Sequence, residues 1–139
     1  MKNGILFTFS IMMLYVASCN GQQSANVSAS QDNDRVEVIY FHNTSRCVTC
    51  VTVENVARNY ILEQYAAQAA SGKISFSSYN IEQADGKAVA ERVGVNSQSL
   101  MVVKGNQKIN LINDGFMYAV NKPEKFQEII KSKVDPLLK

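Results

Sequence analysis

The stretch Cys47-Val48-Thr49-Cys50 follows an apolar run at residues 36–41 and precedes a long helical pattern that begins near Val51. Two thiols with two residues between them at the start of a helix can close into a disulfide. Dithiol redox chemistry depends on this geometry. The stretch therefore predicts a strand that leads into a helix, with a redox-capable cysteine pair at the junction.

The third cysteine, Cys19, ends a pattern typical of exported proteins. Residues 1–3 form a short basic start, residues 5–16 an apolar core, and Val16-Ala17-Ser18 supplies small residues before Cys19. This pattern resembles the lipobox of bacterial lipoproteins, whose signal peptide is cut before a lipidated cysteine. The resemblance implies a signal peptide at 1–18 and lipidation of Cys19. An ordinary secretory signal with a chance cysteine and an uncut anchor are the alternatives, although the core is too short to favour a spanning helix.

Residues 20–34 are rich in Ser, Asn, Gln and Asp, and Val27 is their only branched aliphatic residue. Such a segment cannot bury enough apolar surface to fold, so it is predicted to be a flexible tether. The chain is thus expected to contain a signal peptide at 1–18, a lipidated cysteine with its tether at 19–34, and one domain at 35–139.

The charge balance of the chain gives no indication of nucleic-acid binding. Its 139 residues carry 14 Lys and Arg against 12 Asp and Glu, for a formal net charge of +2. Nucleic-acid binding normally needs a strong basic excess, which this composition lacks. We therefore expect no nucleic-acid partner.

From residue 36 onwards, the periodicities alternate between strands and helices. The densely apolar first strand is expected to be central and covered on both faces. The predicted elements are a strand at 36–41, a helix at 51–70, a strand at 74–79, a helix at 85–93 ended by Gly94, a hairpin of 100–103 and 109–112 around Gly105-Asn106, and a last helix that starts at Asn121-Lys122-Pro123-Glu124. The order β-α-β-α-β-β-α predicts an α/β domain.

This order, with the cysteines after the first strand, resembles the thioredoxin fold over about residues 36–139. The resemblance implies a central mixed sheet of about four strands flanked by helices. More narrowly, four segments are similar to a group of small bacterial thioredoxin-like proteins known as nitrophenyl compound nitroreductase subunits. These segments are Tyr40-Phe41-His42, residues 46–50, Gln98-Ser99-Leu100 and residues 113–119.

Candidate catalytic residues surround the cysteine pair. Cys47 is expected at or just before the first helical turn, where free N–H groups and the helix dipole favour a thiolate. Arg46 adds a neighbouring positive charge, with a solvated surface charge as its alternative. Cys50, one turn further in, is expected to be the less exposed resolving thiol.

The chain departs from thioredoxin at two positions. Ser99 stands where that family has a cis-proline, and because a cis bond before a non-proline residue is costly, we expect a trans peptide there. The acidic residue that thioredoxin buries behind its second cysteine is absent from 36–41 apart from Glu37, which is expected at the periphery. Water or His42 is then left to carry protons to and from Cys50.

His42 is the only histidine, and a ring that titrates near neutrality can act as a base or a ligand. The alternative is a loop histidine bonded to the backbone. With Cys47 and Cys50 it would make three metal ligands without a common fourth, so we expect no structural zinc site and no cofactor. A soft metal or metalloid bridging the two thiolates remains an alternative.

The segment Asn113-Asp114-Gly115-Phe116 has two interpretations. It is predicted to form a turn with its aromatic residue buried, and the alternative is a role in docking a partner.

Together these features predict a monomeric, membrane-tethered thiol:disulfide oxidoreductase that faces the periplasm. Its expected partner is a redox protein, in particular a membrane electron-transfer protein, by analogy with the wider family. Asn20 is not the aspartate that retains some lipoproteins at the inner membrane, so the choice of membrane stays open, as do the substrate and the direction of electron flow. The alternatives are thiol-based metal or metalloid binding, a structural bridge, and a non-catalytic interaction module.

Overall fold

Strand β1, Val36–His42, lies inside a four-stranded sheet in a computed structural model that describes residues 34–139. It pairs in parallel with β2, Ile74–Asn80, and antiparallel with β3, Ser99–Lys104. Strand β4, Gln107–Asn110, pairs antiparallel with β3, which gives the order β2-β1-β3-β4. The first strand is central, as predicted, and the sheet is mixed.

Six helical segments accompany the sheet. They are α1, Val48–Gln64; α2, Ala66–Ala70; α3, Ala84–Val93; α4, Ile112–Tyr118; α5, Pro123–Val134; and a final 3₁₀ turn, Asp135–Leu138. An α/β domain with a four-stranded mixed sheet flanked by helices is therefore confirmed, and it is consistent with a thioredoxin-like fold.

The alternation of β1 sends apolar side chains into two separate cores. Val38 and Tyr40 belong to a larger core that includes residues of α1, α4 and α5. Ile39 and Phe41 point to the opposite face, where α3 contributes Ala90 and Val93 to a smaller core. Because both faces are covered, β1 is held rigidly and its carboxyl end has a fixed position.

The predicted helix at 51–70 differs from the structure at both its start and its middle. It begins at Val48, because Cys47 already acts as its N-cap. It is interrupted at Tyr65, whose φ of −114° and ψ of 30° leave the helical region. The Tyr65 ring is buried and its hydroxyl donates to Asp135 Oδ1 at 2.7 Å. This contact with the distant 3₁₀ turn accompanies the break.

The helix that ends at Val93 is closed as predicted. Gly94 adopts a left-handed conformation with φ of 83°, and its N–H donates to the carbonyls of Ala90 and Glu91. A residue with a Cβ would be strained at this φ. The cap separates α3 from the loop that leads to β3.

The turn predicted at Asp114-Gly115-Phe116 is wrong, because these residues lie within α4 and Phe116 is 43% exposed. The second hairpin strand accordingly stops at Asn110 and does not reach 112. Asn110 Oδ1 accepts from the N–H of Ile112 at 3.0 Å, which bends the chain into the helix. Gly115 then allows close packing, because a Cβ there would lie 2.7 Å from Val53 Cγ1.

The predicted signal peptide at 1–18, lipidated Cys19 and most of the tether lie outside the described residues. Within residues 34–139, no helix is both long enough and apolar enough to span a membrane.

Candidate redox site

The two cysteines meet where the loop after β1 enters α1. Cys47 is the N-cap of the helix, with φ of −80° and ψ of 162°, and its Sγ accepts from the N–H of Cys50 at 3.1 Å. The two sulfurs form a disulfide across a Cα–Cα distance of 5.1 Å. Cys47 therefore occupies the position expected from the sequence.

The two cysteines differ in their exposure to solvent. Cys47 is exposed, whereas Cys50 is only 8% exposed. Val48, 83% exposed, and Val51, 38% exposed, give the surface beside Cys47 an apolar character. A partner can approach Cys47 directly, while Cys50 is sheltered behind it.

The loop between β1 and Cys47 is tied to the neighbouring β2–α3 connection. The N–H of Ile81 donates to the carbonyl of His42 at 2.9 Å, and the N–H of Thr44 donates to Glu82 Oε2 at 3.0 Å. Asn80 Nδ2 donates to Thr44 Oγ1 at 2.9 Å. The hydrogen bonds from Thr44 hold the pKa of Glu82 below its usual value. This ionised acceptor helps to fix the loop that presents Cys47.

A buried carboxylate, Glu54, lies one turn after Cys50 in α1 and is 4% exposed. Arg46 Nη2 and Arg58 Nη2 each donate to one of its two oxygens. Arg46 also lies over the ring of Tyr40, with its guanidinium carbon 5.6 Å from the ring centroid. Sequence reasoning missed Glu54, although its position four residues after Cys50, on the apolar side of the helix, was a readable signal.

The ionisation of Glu54 is set by two opposing effects. Burial opposes the charged form, but the hydrogen bond from Arg46 and the positive charges of Arg46 and Arg58 outweigh it and lower the pKa of Glu54. Glu54 is therefore ionised near neutral pH. Arg46 is not simply a solvated surface charge, since its guanidinium is bound to Glu54 and part of its positive charge is neutralised there.

His42 ends β1 and lies half-buried with its ring stacked near that of Tyr40, at a centroid distance of 6.2 Å. Its Nδ1 lies 2.9 Å from the carbonyl oxygen of Asn43. Because a carbonyl oxygen only accepts, Nδ1 carries the hydrogen in this contact. The contact with the backbone agrees with the alternative expected from the sequence, although His42 ends a strand and does not lie in a loop.

Ser99 begins β3 opposite Phe41 and is buried. Its hydroxyl donates to the carbonyl of Ser97 at 3.0 Å and accepts from Asn110 Nδ2 at 3.4 Å. Every peptide bond in residues 34–139 is trans, which agrees with the expectation for Ser99. The Ser99 hydroxyl is thus engaged with the connection before β3 and the end of β4.

Gln98, the residue before Ser99, contacts the buried sulfur directly. Its Oε1 lies 3.8 Å from Cys50 Sγ, and its Nε2 donates to the hydroxyl of Tyr40 at 2.5 Å. Tyr40 in turn donates to the main-chain carbonyl of Cys50 at 2.9 Å. Sequence reasoning gave Gln98 no role, because no local pattern links it to a cysteine 48 residues earlier.

Over the part of the chain that is described, no group of three or more His, Cys, Asp or Glu side chains is placed to hold a metal ion. His42, Cys47 and Cys50 do not form the three-ligand set that the sequence allowed. The arrangement instead offers one accessible sulfur, one sheltered sulfur and a fixed polar group beside the latter.

No protein-family model and no curated protein matches the chain.

The charge of Glu54 can be tested through the pH dependence of stability. Because its pKa is lowered from 4.5, its ionisation stabilises the fold above that value, and this contribution is lost as the pH falls through the folded-state pKa. We expect Glu54→Gln to lower the free energy of unfolding at about pH 7 by about 1–2 kcal/mol in urea titrations. The difference from wild type should shrink progressively as the pH falls below 4.5.

The matched control is Glu63→Gln, on an exposed position of the same helix. It should change the free energy of unfolding by less than about 0.5 kcal/mol. A Glu54→Gln penalty that stays constant from neutral to acidic pH would contradict the assigned role of the carboxylate charge.

Proposed function

We propose that this chain is a thioredoxin-like thiol:disulfide oxidoreductase that exchanges electrons with partner proteins through Cys47 and Cys50. One observation carries the proposal: the pair forms a disulfide at a helix N-terminus with one sulfur exposed and the other sheltered. In the reduced form, the N-terminal position favours the thiolate of Cys47.

The first step is nucleophilic attack on a partner disulfide. The Cys47 thiolate forms a bond to one partner sulfur while the partner's S–S bond breaks. The second partner sulfur leaves with the electron pair and takes a proton from water. The product is a mixed disulfide between Cys47 and the partner.

The second step releases the partner. Cys50 gives its proton to water, and its thiolate attacks Cys47 Sγ as the mixed disulfide breaks. The remaining partner sulfur leaves as a thiolate and is protonated. Two electrons have then passed from the domain, now a disulfide, to the partner, now a dithiol.

The cycle closes when a second partner supplies two electrons. A dithiol on a membrane electron-transfer protein can reduce the Cys47–Cys50 disulfide by the same two exchanges in reverse. If the partner order is exchanged, the domain oxidises its substrate, and the direction depends on the relative potentials. The exposed apolar side chains of Val48 and Val51 give either partner a surface beside Cys47.

The proposed location rests on the amino-terminal sequence. The basic start, the apolar core and the small residues before Cys19 support export and lipidation, and the polar composition of 20–34 supports a tether. The domain would then face the periplasm at a membrane surface. The similarity to proteins known as nitrophenyl compound nitroreductase subunits supports kinship with that group. From this similarity we infer only the dithiol chemistry.

Trapping the mixed disulfide tests the function. The whole chain carrying Cys19→Ser is reduced and mixed with oxidised glutathione, and adducts are followed by intact mass. Cys50→Ser should accumulate one glutathione on Cys47, because the resolving thiol is missing. The chain with both site cysteines should instead pass to an internal disulfide.

Cys47→Ser is the matched control for this experiment. Its remaining thiol is sheltered and lacks the N-cap position, so adduct formation should be at least about tenfold slower. Equal rates for the two single-cysteine variants would refute the assigned roles, as would an adduct on the chain with both cysteines that never passes to the internal disulfide.

Lipidation of Cys19 is tested separately by expression in a bacterium supplied with labelled palmitate. The wild-type chain should take up the label and sediment with membranes, because acyl chains anchor it. Cys19→Ser should take up none. An unlabelled wild-type chain would favour the ordinary secretory signal or the uncut anchor.

A further inference from the structure

Three hydrogen-bonding groups behind the disulfide fix the direction of one amide. The carbonyl oxygen of Cys50 can only accept, so the Tyr40 hydroxyl must donate to it across 2.9 Å. The Tyr40 oxygen is then an acceptor for Gln98, and the atom 2.5 Å from it must be the donor Nε2. Oε1, the acceptor end of the amide, is therefore the end that faces Cys50 Sγ at 3.8 Å.

An acceptor beside a sulfur distinguishes the two protonation states of that sulfur. A Cys50 thiol can donate its S–H to Oε1, whereas a thiolate would face the lone pairs of a carbonyl oxygen. A hydrogen bond made only by the neutral form raises the pKa of a thiol. The amide thus disfavours the thiolate without carrying a charge of its own.

We propose that Gln98, oriented by Tyr40, keeps the proton on Cys50 and delays its attack on the mixed disulfide. The inference rests on the proposed function only in assigning Cys50 as the resolving thiol. Gln98 contacts the reacting sulfur, whereas Tyr40 is a positioning residue that acts through Gln98. The expected consequence is a longer-lived bond between Cys47 and its partner.

The Tyr40 proton is available for this role at neutral pH. Burial raises the pKa of Tyr40, despite opposing effects of the Gln98 hydrogen bond and the Arg46 charge. Its hydroxyl therefore stays protonated and bound to the Cys50 carbonyl. As long as that hydrogen bond is made, the amide of Gln98 cannot turn its NH₂ group towards the sulfur without losing its bond to Tyr40.

Other ionisable groups that can affect the pKa of Cys50 lie in the cysteine motif, in α1 and at the end of β1. Cys47 precedes it in the motif, and Glu54, held by Arg46 and Arg58, follows it in α1. His42 lies at the end of β1 beside Tyr40. Gln98, which precedes β3, contributes an uncharged group. Substitutions at Tyr40 and Gln98 leave Glu54, its two arginines and His42 in place, so their contributions to the Cys50 pKa are retained in every variant.

Removing the Tyr40 hydroxyl gives the sharpest test. In Tyr40→Phe, the Gln98 amide loses the partner that orients it and can rotate. Its Nε2 can then donate to the Cys50 thiolate, which favours the charged form. The two orientations of one amide thus have opposite effects on the same thiol.

The experiment uses the whole chain with Cys19→Ser and Cys47→Ser, so that Cys50 is the only thiol. The rate of alkylation by iodoacetamide is measured across pH by mass spectrometry. The midpoint of the curve of rate against pH reports the thiolate fraction of Cys50. The plateau rate at high pH also depends on the access of iodoacetamide to the sulfur. We expect Tyr40→Phe to lower the midpoint by about one pH unit, and Gln98→Ala to lower it by a smaller amount.

A double-variant cycle separates the proposed contact from a general disturbance. Once Gln98→Ala is present, adding Tyr40→Phe should cause no further shift. Tyr79→Phe is the matched control, because Tyr79 packs with the smaller core on the opposite face of the sheet. It should leave the midpoint unchanged, and circular dichroism and thermal unfolding establish that each variant is folded.

An unchanged midpoint in folded Tyr40→Phe would overturn the inference, as would an equal shift with and without Gln98. If Tyr40→Phe does not fold, Gln98→Ala decides alone, and an unchanged midpoint overturns the inference. Because this titration uses no partner, its failure leaves the dithiol exchange standing. Absence of the glutathione adduct on Cys50→Ser would instead overturn the proposed function and leave this titration valid.

Discussion

The site depends on one constraint, which is that the chain enters α1 at a cysteine. The hydrogen bond from the Cys50 N–H to Cys47 Sγ marks this entry. Strand β1 fixes one side of this junction, because it is paired on both edges and buried on both faces. The buried side chains of α1, including Val53 and Ala57, fix the other side. With both sides held, Cys47 is exposed and Cys50 is buried. The roles proposed for the two thiols rest on this difference in exposure.

The polar groups around Cys50 include a charged carboxylate, Glu54, and a neutral amide, Gln98. Glu54 is buried, but two arginines offset the cost of its desolvation and keep it ionised. The group that contacts the Cys50 sulfur is the neutral amide of Gln98. Tyr40 connects the two parts, since Arg46 lies over its ring and Gln98 donates to its hydroxyl. A carboxylate is thus present near the site, as a bound anchor for Arg46.

The features that were readable from the sequence are those set by local interactions. The apolar composition of β1, the cysteine pair at a helix start and the Gly94 cap each depend on residues close together in the chain. Apart from Glu54, whose spacing from Cys50 was readable, the missed features depend on distant contacts. The break at Tyr65 accompanies a hydrogen bond to Asp135, 70 residues away, and α4 packs through Gly115 against Val53. The Gln98 contact likewise exists only once β3 lies beside β1.

The redox potential of the cysteine pair tests the central claim most directly. The whole chain with Cys19→Ser is equilibrated in graded thiol and disulfide buffers, and free thiols are counted with a mass-tagging maleimide. The account predicts a reversible two-electron transition between about −100 and −280 mV, lost in Cys47→Ser. A pair that stays oxidised well below about −300 mV would contradict it and indicate a structural bridge. A pair that never forms a disulfide but binds a soft metal ion tightly would contradict it equally.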